Sequence, residues 1–269
     1  MEKKKEVLKF ENVSLRYHTK EGETLALSDV NFTVYEKEFV AIVGPSGCGK
    51  TTILSLIAGI LKPSSGTIYL DGKDVSIKSK EKNKKRENIA DIGYMFQRDQ
   101  LFEWCSIWKN VTIGAEIQKR KKDATLLNRV SNLIDKYGLS QFKNNKPSQL
   151  SGGMRQRVAL IRTLALDPKI LLLDEPFSAL DFQTRLNVCD NVAEIISNEK
   201  KTAVLVTHDI SEAISLADRV IILSKRPGTV KRIVDIDLKE FDTPLKRRES
   251  KKSHEYFDEI WKDLVDYNS

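Results

Sequence analysis

Sulfur is scarce in this chain, and long apolar runs are missing. Its 269 residues include three cysteines, Cys48, Cys105 and Cys189, odd in number, far apart and without a C-x-x-C pair. That spacing gives neither a disulfide framework nor a zinc-ligand set, so reduced thiols are expected. A loop rich in N–H groups can lower a thiol pKa, which singles out Cys48; a small residue that fits its loop is the plainer reading. The apolar stretches, such as Ile170 to Leu173, are short and strand-like. They fall well short of the ~18 residues needed to cross a bilayer. The charged start, Met1 to Glu6, lacks the apolar region of a secretory signal, and a cytoplasmic location is expected. No internal repeat or coiled coil is visible.

What is present is enough for one large α/β domain with a small appendage and a core that needs no staples. Hydrophobic residues make up 40% of the chain and charged residues 31%, with a net charge of +7. Much of the positive excess lies in two runs, Lys78 to Arg86 and Lys246 to Lys252. Such runs are usually solvated loops or tails. They argue for proximity to a membrane before binding to nucleic acid, and no nucleic-acid partner is expected.

The chemistry begins at Gly44-Pro45-Ser46-Gly47-Cys48-Gly49-Lys50-Thr51-Thr52, which matches G-x-x-x-x-G-K-[ST] without a gap. Phe39 to Val43 before it is of strand type, and Thr51 to Ala58 after it reads as a buried helix, the context this motif requires. The glycines let successive N–H groups and the helix start converge on phosphate oxygens. Lys50 adds a positive charge at the terminal phosphates, and Thr51 offers a hydroxyl to Mg²⁺. Nucleoside triphosphate binding follows.

Around this loop the pattern predicts a mainly parallel sheet covered on both faces, preceded by an antiparallel β layer. Val7 to Tyr17 alternates if Asn12 is allowed a bulge, and Leu27 to Tyr35 alternates again. Strands are expected at Thr67 to Leu70 and Asp91 to Gln97, then a helical stretch from Ile107 to about Tyr137, and a helix from Ser151 to Leu166. Strand and helix then alternate three times, through Ile170 to Leu173, Asp181 to Ser197, Ala203 to Val206, Ile210 to Leu216 and Val220 to Leu223. An alternating stretch at 230–235 and a charged final helix close the chain. We divide it into residues 7–240, with a helical subdomain inserted at about 98–166, and a tail at 241–269.

The strand Lys169 to Leu173 ends in Asp174-Glu175. Strand C-terminal ends face the ligand crevice of such sheets, so Asp174 is placed to hold Mg²⁺, and Glu175 to polarise an attacking water. Ser151-Gly152-Gly153 at a predicted helix start reads as an N-cap and a second anion site. By residue chemistry alone, a histidine after Val206-Thr207 is more often a structural cap, a glutamine after Phe96 an ordinary surface residue, and Tyr17 a cross-strand packing residue.

Leu150 to Arg157, L-S-G-G-M-R-Q-R, resembles the signature sequence of ABC transporter ATPases, and with the Gly44 loop and the Asp174 strand it is similar to a complete nucleotide-binding domain of that family, a P-loop NTPase fold. The resemblance covers roughly residues 7 to 225. It implies an ATPase using ATP and Mg²⁺. It implies Gln97 as the Q-loop glutamine at the metal and the reacting site, His208 as the switch histidine, Asp181 in the D-loop and Tyr17 as the aromatic that stacks on adenine. Ser151, Gly152 and Gly153 would complete the pocket of an opposing copy in an ATP-sandwich dimer. Lys37 departs from the glycine many relatives carry, and Thr51 from the commoner serine.

A single cassette without a membrane span implies separate permease subunits, peripheral attachment to the cytoplasmic face and, indirectly, a solute-binding protein. Phe96 to Trp104 and Ser224 to Val230 resemble importer ATPases of the nitrate, sulfonate and taurine group. The alternative is a non-transport ABC ATPase acting on nucleic acid or the ribosome. Leu101, Phe102, Trp104 and Trp108 form either a docking surface or the packing of the helical insertion onto the sheet.

Overall fold

The structure, a computed structural model, describes residues 4–19, 22–76 and 91–265. The basic run Lys78 to Arg86 lies outside the described residues. In chain order, β1 (Glu6–Thr19) and β2 (Gly22–Tyr35) form a hairpin, and β3 (Phe39–Val43) leads into α1 (Lys50–Ile57). Next come β4 (Ser65–Leu70), β5 (Lys73–Asp74) and β6 (Ile92–Met95). Three helices follow: α2 (Ile107–Ile117), α3 (Ala124–Lys136) and α4 (Gly152–Leu164). Then β7 (Ile170–Asp174), α5 (Phe182–Asn198), β8 (Thr202–Val206), α6 (Ile210–Leu216) and β9 (Arg219–Leu223) alternate. The chain continues with β10 (Val230–Asp235), α7 (Pro244–Glu249) and α8 (Lys251–Val265).

One sheet is antiparallel, in the order β2-β1-β4-β5; the other has the order β10-β9-β3-β8-β7-β6 and is parallel except for its β10 edge. The second sheet separates two cores. Ala41, Val43, Leu171 and Leu205 pack with the helices α2 to α6 and α8, whereas Val40, Ile42, Leu172 and Val204 pack with α1 and the antiparallel sheet. Burial on both faces is why these strands read as unbroken apolar runs. Asn12 sits at φ 51° where the register shifts between Phe10 and Val13, the bulge the alternation requires. Lys37 also has a positive φ, 62°, in the turn before β3, a conformation that glycine adopts more readily.

The helical stretch from Ile107 is two helices. Asp123 divides it, because its carboxylate accepts from Leu126 N at 3.1 Å and caps α3. The final helix is also two, and two arginines of its basic run, Arg247 and Arg248, turn inward while Lys246, Lys251 and Lys252 stay exposed. Arg247 and Arg248 donate to the Ser215 carbonyl and hydroxyl at 3.3 and 3.2 Å, Lys246 pairs with Asp242 at 3.3 Å and Lys252 with Glu240 at 3.0 Å. Among the described residues no helix is long and apolar enough to cross a membrane.

Candidate functional site

The loop between β3 and α1 is shaped by its last glycine. Gly49 has φ 106°, and a Cβ there would lie 2.6 Å from the buried Leu27 side chain of β2. Any other residue type would be strained at that φ and would push the Leu27 side chain aside. Lys50 is buried, and its Nζ donates to the carbonyls of Gly44 and Pro45 at 2.8 and 3.1 Å, which hold the ammonium over the loop. Cys48 is buried beneath it. Burial pushes that thiol up, against the pull of the Lys50 charge and backbone donors, so Cys48 fits the loop as a small apolar residue and not as an activated thiol.

Parallel pairing of β3, β8, β7 and β6 brings their C-terminal ends to one edge. Asp174, at the end of β7, accepts from the Thr51 hydroxyl at 3.2 Å through Oδ1 and from the Tyr94 hydroxyl at 3.0 Å through Oδ2. Burial pushes the Asp174 carboxyl up and the Glu175 charge adds to this, while the Tyr94 and Thr51 hydrogen bonds oppose it. Tyr94 is raised in turn by burial and by the Asp174 charge. Glu175 turns out of the strand with φ 43°, its N–H donating to the Val206 carbonyl at 2.9 Å. One of its oxygens, Oε2, lies 3.2 Å from His208 Nδ1 and 3.5 Å from Gln97 Nε2. Gln97 also donates to the Ser178 hydroxyl at 3.2 Å.

Tyr17 pairs with Thr24 across the hairpin, and its hydroxyl lies 3.1 Å from Thr52 Oγ1. It walls a cleft of about 350 Å³ that also borders Lys50, Thr51, Thr52 and Glu175. Ser151, Gly152, Gly153 and Asp181 do not line this cleft. Ser151 caps α4, accepting from Met154 N at 3.4 Å, and Asp181 caps α5, accepting from Thr184 N at 3.0 Å. The Thr184 hydrogen bonds hold the Asp181 carboxyl below its usual range.

The aromatic cluster splits. Leu101 and Trp108 join the core, with the Lys143 ammonium 4.2 Å over the Trp108 ring, whereas Trp104 is 74% exposed and rests against the half-buried Phe102 at 5.2 Å. Two site neighbours escaped the sequence reading. Tyr94 reaches Asp174 only because β6 lies beside β7, with Tyr94 opposite Leu172. Arg226 donates to the Gly47 carbonyl at 3.3 Å from a loop 179 residues away.

The ABC transporter family model matches residues 27–178. A Bacillus subtilis (strain 168) chain, the uncharacterized ABC transporter ATP-binding protein YtlC, is 43% identical over 263 residues, 96% of this chain and 95% of that one. The nitrate import ATP-binding protein NrtD of Synechocystis sp. is 40% identical over 240 residues, 88% of this chain and 86% of its own length. A solved dimeric structure, the post-hydrolysis state of the ATP-binding cassette MJ0796 bound to ADP and Pi, matches with a TM-score of 0.68 at 32% identity, covering 85% of this chain and 98% of that one. With the phosphate loop, the paired carboxylates and the signature helix in one sheet-and-helix frame, this chain belongs to the ABC transporter family as an ATP-binding, ATP-hydrolysing member.

Proposed function

We propose that the chain is the ATPase subunit of an importer, working as a pair with a second copy and driving separate permease subunits. The observation that carries the catalytic reading is the convergence of Gln97 and His208 on one oxygen of Glu175, beside the linked pair Thr51 and Asp174. The N–H groups of residues 46–49 and the start of α1 bind the phosphates, and Lys50 neutralises the terminal ones. Thr51, Asp174 and Gln97 offer oxygen donors only, the set a hard cation takes, and would hold Mg²⁺; bound there, the ion supplies charge neutralisation to the phosphate chain. Glu175 accepts a proton from the attacking water, and His208 and Gln97 hold its carboxylate in place. Tyr17 stacks on the base. Ser151, Gly152 and Gly153, outside this cleft, meet the partner copy's nucleotide, with Asp181 beside that contact.

We divide the chain accordingly into an ATPase unit at 7–240, with its helical subdomain at about 98–166, and a tail at 241–269. For the solute we propose a small anion or zwitterion of the nitrate, sulfonate or taurine kind. Support comes from the NrtD relative and from taurine import ATP-binding proteins at 36% and 38% identity. A solute-binding protein would feed the permease from the other side. Against the nucleic-acid reading, two of the tail's basic residues, Arg247 and Arg248, are turned to Ser215.

Attachment is peripheral, at the cytoplasmic face, with Trp104 and Phe102 as the permease contact. Co-expressed with its permease, the chain is expected in the membrane fraction, and absent from it without the permease. Replacing Trp104 and Phe102 by Ala releases it. Attachment that persists without any permease and is removed by high salt would refute this reading in favour of lipid headgroups.

A further inference from the structure

The loop Ser224 to Thr229, between β9 and β10, has no part in the function above, yet it is built onto the phosphate loop. Its ends are closed by Ser224 N donating to the Thr229 carbonyl at 2.9 Å and by Thr229 N donating to Ser224 Oγ at 2.8 Å. Gly228 docks it on β2: its N–H donates to the Ala26 carbonyl at 2.9 Å and its carbonyl accepts from Ser28 N at 3.0 Å. A Cβ on Gly228 would lie 2.1 Å from the Cys48 carbonyl oxygen, so the two backbones touch where only glycine fits.

Arg226, at the outer turn of this loop, is therefore fixed relative to residues 44–49 although its side chain is exposed. Its Nε donates to the Gly47 carbonyl at 3.3 Å, and it borders the same cleft of about 350 Å³ as Tyr17, Lys50 and Thr51. An exposed hydrogen bond to a neutral carbonyl contributes little by itself. A guanidinium has five N–H donors in a rigid fork suited to phosphate oxygens, and it keeps its charge at all working pH values. Pinning Nε to Gly47 orients that fork along the loop that cradles the nucleotide.

We propose that Arg226 is a nucleotide-binding residue, donating to the phosphate chain from outside the loop while Lys50 does so from within. The inference rests on the reading of this cleft as the ATP site. Because the arginine's charge faces the phosphates before and during hydrolysis alike, its effect falls on KM and little on kcat.

Binding of ADP and of Mg-ATP to the full chain, at low and raised salt, tests this with Arg226→Ala, Arg226→Gln, Arg226→Lys and Lys50→Ala. The Ala and Gln variants are expected to weaken both nucleotides about tenfold, to flatten the salt dependence of binding, and to raise KM with kcat lowered less than threefold. Arg226→Lys should recover only part of the affinity, because the charge returns without the fork. Matched apo melting temperatures keep the comparison to binding. Glutamine restores a hydrogen bond to Gly47 without the charge, so an Arg226→Gln variant that binds as the wild type does would reduce Arg226 to a strap on the loop and overturn the proposal. Wild-type affinity in Arg226→Ala would overturn it too, with Lys50→Ala still defective. Wild-type affinity in Lys50→Ala would instead bring down the site reading, and this inference with it.

Discussion

Glu175 has two neighbours on one oxygen, and Asp174 has two hydroxyls on two, so the adjacent carboxylates are set up for different work. Glu175→Gln keeps the shape and the contacts to Gln97 and His208 but cannot accept a proton. It should bind Mg-ATP normally and turn over at least ~10²-fold more slowly in steady-state phosphate release; normal turnover would remove Glu175 as the base. Tyr94→Phe isolates the other carboxylate. Losing a hydrogen bond to a charged group costs about 1.5–3 kcal/mol, and a carboxyl already pushed up by burial is pushed further. The Mg²⁺ concentration for half-maximal ATPase activity should rise at least severalfold, and an unmoved Mg²⁺ titration would exclude a role for Tyr94. The pair Asp174-Glu175 was legible in the sequence because a strand of leucines cannot end in two acids without facing solvent or a ligand. Tyr94 was not, since its partner depends on which strands pair, and that is a nonlocal choice.

At the scale of elements, the signature helix and the segment after Gln97 are bound together by arginines. Arg155 of α4 pairs with Asp99 at 2.7 Å and with Glu103 at 2.6 Å, and Arg162 donates to the carbonyls of Asp99 and Gln100 at 2.6 and 2.7 Å. These contacts tie α4 to the segment that carries Gln97 at one end and Trp104 at the other. Burial works against the Asp99 charge, but the Arg155 bonds and the Leu101 N–H outweigh it and bring that carboxyl below its usual range. A carboxylate whose folded pKa is depressed contributes stability that is complete above the unfolded value of ~3.9 and is lost as pH falls through the folded value. Asp99→Asn should therefore melt lower than the wild type by an unchanging margin from pH 7 to about 5, with the margin closing only in acid below about 3.9. A margin that closed near pH 6 would point to a different titrating group. The strands and most helices were legible because two-sided burial and helical spacing leave a period in the sequence. The 97–105 segment has no regular period, so nothing in its residues told that Leu101 turns inward and Trp104 outward.

At the scale of the molecule, the sheet keeps two cores apart and gathers the phosphate loop, Asp174, Glu175, Gln97 and His208 at one edge, while Ser151, Gly152 and Gly153 start a helix that does not reach that cleft. The cap role of Ser151 was readable from residue type; its partner was implied by resemblance alone. On the pairing proposed above, the Ser151 helix start, redundant as an anion site within one chain, gains a use when two copies meet head to tail, each Ser151 end against the other's Gly44 loop. The γ-phosphate is then a ligand shared by both surfaces, so ATP drives association by mass action and hydrolysis drives release. Glu175→Gln, which binds without turnover, should accumulate in ATP as a dimer in light scattering. Ser151→Arg in that background should abolish the dimer, because a long cation replaces the cap and crowds the shared phosphate. Wild-type turnover per chain should rise with protein concentration until dimers dominate. If turnover per chain stayed constant on dilution in samples shown to be monomeric throughout, each cleft would be complete by itself, and Ser151 would be a helix cap and nothing more.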